Sequence, residues 1–149
     1  MTKIYFEDIA VGDTTTSHSR TVTKEEIIDF ARKYDPQSFH IDEEAAKKSI
    51  YGGLIASGWH TASNLMRLLV DNATNNRAGL GSPGFDDLRW VRPVRPGDSL
   101  RYESTVVETR KSASRPEMGI VRADVNLLNQ NDEIVLSLKS IGMVKTRPI

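Results

Sequence analysis

The sequence contains no cysteine. That excludes disulfide staples, a thiolate nucleophile and any zinc site built on sulfur. Histidine is scarce as well: His18, His40 and His60 are scattered at no metal-ligand spacing, so no metal centre is expected. Neither sign of charge is in excess, since twenty Lys and Arg balance twenty Asp and Glu. Binding to nucleic acid or to an anionic membrane mainly by charge needs a basic surplus, so neither partner is expected. No apolar run approaches the ~20 residues that span a bilayer. The opening stretch, Met1 to Asp8, lacks the apolar segment of a secretory signal. The expectation is a cytoplasmic protein. Internal repeats and low-complexity tracts are also missing.

The 149 residues suit a single domain over 1–149. A domain of that size buries roughly 68–70% of its unfolded surface and needs no staples. The first half reads as helical. Thr23-Lys24-Glu25-Glu26 is a capping box, and Ile27, Phe30, Ala31 and Tyr34 follow at helical spacing. Pro36 disfavours helical geometry at Asp35, so this helix should stop near Tyr34 and the segment after it should not be helical. Asp42 caps a short second helix from Glu43 to about Ser49. A more buried third helix runs from about Ser57 to Asn72, with Ala62, Leu65, Met66 and Leu69 on one side. The second half alternates with period two at Leu88 and Trp90, from Leu100 to Val107, from Val121 to Leu127 and from Ile134 to Leu138. Arg95-Pro96-Gly97-Asp98 and Asn129-Gln130-Asn131-Asp132 supply turns, which predicts an antiparallel meander. A further strand is expected between Thr14 and Val22. A helix packed on one curved antiparallel sheet is an α+β layer architecture, and the sheet's free edge invites a second subunit.

Asp35 and His40 carry the chemistry. They lie five residues apart in Tyr34-Asp35-Pro36-Gln37-Ser38-Phe39-His40. A carboxylate and an imidazole that share one water can divide general-base and general-acid work, each role typically worth about 10²–10⁴-fold. The plainer alternative is a turn-capping Asp35 and a satisfied, half-buried His40. Gly58 opens the third helix, where the first N–H groups lack intrahelical acceptors and can hold an oxyanion. A glycine there lets a carbonyl oxygen approach the backbone. Turn geometry and helix packing alone would also account for Gly52, Gly53 and Gly58. Ser57 sits outside any Gly-x-Ser-x-Gly elbow and reads as a helix cap. His60 reads as a core or surface histidine, and His18 carries no signal. Arg89, Arg92 and Arg95 read as a solvated edge or a phosphate contact, and Trp59 and Trp90 as core or interface.

Together these segments resemble the MaoC-like dehydratases, also called (R)-specific enoyl-CoA hydratases. Asp35 to His40 looks like that family's Asp-x-Asn-Pro-x-His stretch. Gly53-Leu54-Ile55-Ala56-Ser57-Gly58 looks like its second signature, and Leu88 to Asp98 like its strand-turn segment. Gln37 and Ser38 depart from the pattern, standing where Asn and Pro are usual. The resemblance covers nearly the whole chain and implies the hot-dog fold, a long helix wrapped by an antiparallel sheet. It implies reversible hydration of trans-2-enoyl-CoA to (R)-3-hydroxyacyl-CoA. Asp35 and His40 would then be the catalytic dyad, with base and acid unassigned, and the Gly58 N–H the oxyanion donor. Gln37, Ser57 and Gly53 are expected at the substrate. No cofactor is implied beyond the CoA of the substrate. A homodimer, sometimes assembled further, is the expected state. Three competing readings stay open: an acyl-CoA thioesterase on the same fold, a hydratase for a branched or dicarboxylic acyl-CoA, and a non-catalytic acyl-CoA binding module.

Overall fold

The computed structural model describes residues 2–73 and 76–149. Helix α1 spans Lys24–Tyr34, α2 Ser38–Ile41, α3 Glu43–Lys47 and α4 Gly58–Asn72. Strands are β1 (Thr14–Thr16), β2 (Arg20–Thr21), β3 (Gly84–Trp90), β4 (Ser99–Lys111), β5 (Met118–Leu128) and β6 (Ile134–Lys145).

Helix α1 begins where its cap predicts, with Thr23 Oγ1 accepting the Glu26 N–H at 3.2 Å. The return half of the expected capping box is not made. Glu26 turns its carboxylate toward Arg20 instead, at 4.0 Å. Ile27 and Ala31 are buried, whereas Tyr34 is 74% exposed and only rests on Phe30. The helix stops at Tyr34, and Asp35 leaves helical geometry at φ −154°, ψ 67°, as the following proline requires. The expectation that no helix precedes His40 is corrected. Pro36 constrains only the residue before it, Gln37 is extended at ψ 146°, and the chain turns helical again at Ser38. Asp42 then caps α3 by accepting the Glu44 and Ala45 N–H groups.

The sheet runs in the order β1-β4-β5-β6-β3, with β2 also paired to β4. All these pairings are antiparallel. The meander holds for β4, β5 and β6. It fails at β3, which pairs with β6 rather than with its successor β4. The link across residues 91–98 holds Pro93 and Pro96 and crosses to the far side of the sheet, so the Arg95–Asp98 turn ends a crossover instead of a hairpin. Asp98 still builds that turn by accepting the Arg95 N–H at 2.9 Å, with Gly97 at φ +89°. The expected early strand is split in two. Between the pieces, the Ser17 hydroxyl takes the place of a backbone acceptor for the Tyr102 N–H (2.9 Å).

Helix α4 is the centre of the core. Leu65 and Leu68 pack in one cluster with Leu100, Tyr102, Leu127 and Leu136 from the sheet. Tyr102 also ties down the far end of the helix, its hydroxyl accepting from Asn72 Nδ2 at 3.0 Å. A fully buried leucine stabilises the fold by about 1.5–3 kcal/mol. Leu68, which is fully buried, tests the dependence on this contact. Leu68→Ala should lower unfolding stability by about 2–5 kcal/mol in urea titrations. A loss below about 1 kcal/mol would show that the sheet collapses onto the shortened side chain.

Candidate active site

Pro36 forces Asp35 out of α1, and the short α2 turn then carries His40 back toward it. His40 Nε2 lies 3.3 Å from Asp35 Oδ2. The imidazole is 4% exposed, and its Nδ1 sits 2.7 Å from the Ile55 carbonyl oxygen. A carbonyl only accepts, so Nδ1 carries a hydrogen and Nε2 is the atom turned to the carboxylate. The Ile55 segment is itself fixed against α2, its N–H donating to the Phe39 carbonyl.

The Asp35 carboxylate is held from two further sides. Gln37 Nε2 donates to Oδ1 at 2.7 Å, and the Ser57 hydroxyl donates to Oδ2 at 2.7 Å. Burial alone would push this carboxyl up. The hydrogen bonds from Ser57 and Gln37, together with the charge of His40, outweigh that, and the group lies below its ordinary value. Gln37, where the family pattern has Asn, bonds the Asp35 carboxylate directly.

Ser57 caps α4, accepting the Trp59 N–H at 3.3 Å. Gly58, the first residue of that helix, lines the same cleft as Asp35 and His40. Its N–H finds no acceptor among the described residues. Trp90 crosses from β3 to donate its Nε1–H to the Gly58 carbonyl at 2.8 Å. The indole lies so close that a side chain at position 58 would meet it: a Cβ there would stand 2.5 Å from Trp90 Cε2. Glycine is demanded here by contact. The cleft has a volume of about 590 Å³, and Phe39, Tyr51, Trp59 and Trp90 give it an aromatic wall.

The structure thus brings together Asp35, His40, Gln37, Ser57 and Gly58. It does not bring Gly53, which lies outside the cleft lining; a Cβ built there would meet the Arg95 guanidinium at 3.4 Å. The three arginines diverge. Arg92 borders the cleft and pairs with Glu133, Arg95 donates to the Tyr51 carbonyl, and Arg89 bonds the Leu88 carbonyl. His60 is buried away from the cleft and stacked on Phe30. Burial lowers its pKa. Trp59 and Trp90, read from sequence as core or interface, border the cleft and are 59% and 45% exposed. The Ile55 carbonyl was missed because a backbone acceptor leaves no mark in a sequence. Among the described residues no cluster of His, Asp and Glu has the arrangement to hold a metal ion. No helix among them is long and apolar enough to cross a membrane.

Residues 8–127 match the MaoC-like domain family, and the chain belongs to it. The crystal structure of the MaoC-like dehydratase from Rhodospirillum rubrum is 43% identical and superposes with a TM-score of 0.87, over 98% of this chain and 99% of that one. The uncharacterized protein YdeM of Bacillus subtilis (strain 168) is 30% identical over 85% of this chain and 88% of its own length. A stretch of 64 residues is 42% identical to the mesaconyl-CoA hydratase of Cereibacter sphaeroides, covering 43% of this chain and 18% of that enzyme. The helix α4 wrapped by its antiparallel sheet is the hot-dog fold.

The contact between Gly58 and Trp90 has a measurable consequence. Gly58→Ala should cost about 1–3 kcal/mol through overpacking, read by thermal or urea unfolding. Wild-type stability in that variant would show that the indole is free to swing away.

Proposed function

We propose that the protein hydrates a trans-2-enoyl-CoA reversibly to the 3-hydroxyacyl-CoA. The observation that carries this reading is the Asp35–His40 contact inside the cleft that Gly58 also lines. Membership of the MaoC-like family and the partial similarity to a mesaconyl-CoA hydratase support it.

The donors around Asp35 favour its anion, which makes Asp35 the base. His40, with Nδ1–H bound to Ile55 and Nε2 facing the carboxylate, is then the acid. A water held beside both groups gives one proton to Asp35 while its oxygen bonds to the β-carbon. The π electrons shift toward the thioester, and the enolate oxygen is met by the Gly58 N–H. His40 Nε2 then protonates the α-carbon. One such oxyanion donor is typically worth about 2.7–4 kcal/mol. By family resemblance the product has (R) configuration, and the acyl-pantetheine tunnel lies at or near the subunit interface. The CoA thioester already activates the alkene, so this reaction needs no metal or redox cofactor.

A second copy of the chain completes this reading. The outer edge of β3 pairs with no strand among the described residues. Phe85, Trp90, Val91 and Trp59 expose apolar surface on and beside that strand, interspersed with the charged Asp86, Asp87 and Arg89. A homodimer that joins the β3 edges covers it. Light scattering should give about twice the 16.6 kDa chain mass, and a monomer at micromolar concentration would remove the dimer from the proposal.

Asp35→Asn and His40→Gln should each reduce turnover of crotonyl-CoA by at least about 10²-fold with the fold intact by circular dichroism. Loss of the conjugated thioester absorbance reads hydration. Free thiol in the same assay would instead mark a thioesterase, and tight binding without turnover would mark a binding module. The pH profile follows from Asp35. Its carboxyl is lowered in the fold, so it stays ionised as pH falls into the ordinary carboxylate range. Its contribution to kcat/KM, and to stability, is present above that range and lost only as pH falls through the lowered folded value. An acid limb above the ordinary carboxylate range would contradict the assignment of Asp35 as base.

A further inference from the structure

Ser57 stands between the two halves of the site and belongs to neither by contact with the cleft. It is fully buried and absent from the cleft lining. Its hydroxyl has one hydrogen, and that hydrogen is given to Asp35 Oδ2 at 2.7 Å. An oxygen lone pair accepts the Trp59 N–H at 3.3 Å. The Ser57 carbonyl accepts the His60 and Thr61 N–H groups at 3.0 and 3.1 Å. The single hydrogen of the hydroxyl is therefore committed inside the protein and is not available to a substrate. The next peptide along the chain carries the Gly58 N–H.

We infer that Ser57 is a positioning residue which acts through Asp35, its hydroxyl hydrogen locking the catalytic carboxylate to the first turn of α4. The base and the oxyanion donor then sit on one rigid unit. A helix cap alone requires only an acceptor for the N–H of the first turn. Nothing in capping requires the hydroxyl hydrogen to be aimed at the carboxylate of a residue 22 positions earlier. The contact is also charge-assisted, a class of hydrogen bond roughly twice as strong as a neutral one. Of the three groups that act on the Asp35 carboxyl, Ser57 and Gln37 are neutral and His40 is the titratable one. Loss of the Ser57 donor therefore has a definite sign: the anion is stabilised less, and the carboxyl titrates at higher pH.

The catalytic part of this inference rests on the hydratase reading, whereas the link between Ser57 and Asp35 does not. Two measurements keep them apart. Ser57→Gly separates the two roles of the hydroxyl, because glycine is tolerated at a helix cap almost as well as serine but cannot donate. The carboxyl carbon of Asp35, identified by its absence in Asp35→Asn, is followed by carbon-13 NMR as pH is lowered in the wild type, in Ser57→Gly and in Ser57→Ala. Both Ser57 variants should titrate at higher pH than the wild type. With crotonyl-CoA, both should lose about 10-fold or more in kcat, KM should change by less than about twofold, and the deficit should deepen as pH falls. An unmoved Asp35 titration in Ser57→Gly overturns the inference whatever the activity. A kcat deficit that is independent of pH, with lowered thermal stability, assigns Ser57 to capping alone and also overturns it. If the wild-type protein fails to hydrate any enoyl-CoA while the titration shifts as stated, the hydratase reading falls and the Ser57–Asp35 link stands.

Discussion

The burial of α4 against the concave face of the sheet is the contact on which the rest of the molecule depends. Leu65 and Leu68 meet residues from β4, β5 and β6 in one apolar cluster. Hydrophobic contact is non-directional, so it supplies stability without fixing the rotation of the helix. The polar contacts at the ends supply that. Ser57 at the start bonds Asp35, and Asn72 at the finish bonds Tyr102. Between those two points the helix cannot turn without breaking a part-buried hydrogen bond.

The site is a consequence of that anchoring. Gly58 is presented to the cleft because it begins the anchored helix. Asp35 is brought there because Pro36 forces it out of helical geometry at the end of α1. His40 arrives on a four-residue turn, α2. Asp35 caps the end of α1, Gly58 opens α4, and His40 lies one residue from the end of α2. The chemistry is carried by helix termini, where backbone and side-chain groups are free to point at something other than the element itself.

Much of this was legible in the sequence, and the parts that were not share a cause. Caps and helix limits at Thr23, Asp42 and Ser57 could be read because they depend on neighbours a few residues away. Strand alternation from Leu100 onward was legible for the same reason. The place of β3 was not, since pairing with β6 instead of β4 is decided by the crossover and not by the local pattern of Leu88 and Trp90. The Asp35–His40 pair was visible as residue types at a spacing. The groups that orient it were hidden, because the Ile55 carbonyl has no residue signature and the Ser57 hydroxyl looks like an ordinary cap. Gly53 shows the opposite failure: a matching motif position whose neighbour is Arg95 and not the cleft.

The crossover that carries β3 to the far edge also orders events during synthesis. Strands β4, β5 and β6 are joined by short turns, so each can pair with the one just made. β3 precedes all of them in the chain, yet its only partner among the described strands is β6, the last. Trp90, which bonds Gly58 and borders the cleft, sits on β3. The part of the aromatic wall that Trp90 supplies therefore has no sheet partner until β6 has left the ribosome. A nascent chain stalled before residue 134 holds Asp35, His40 and Gly58 in sequence but has nothing to seat Trp90 against them.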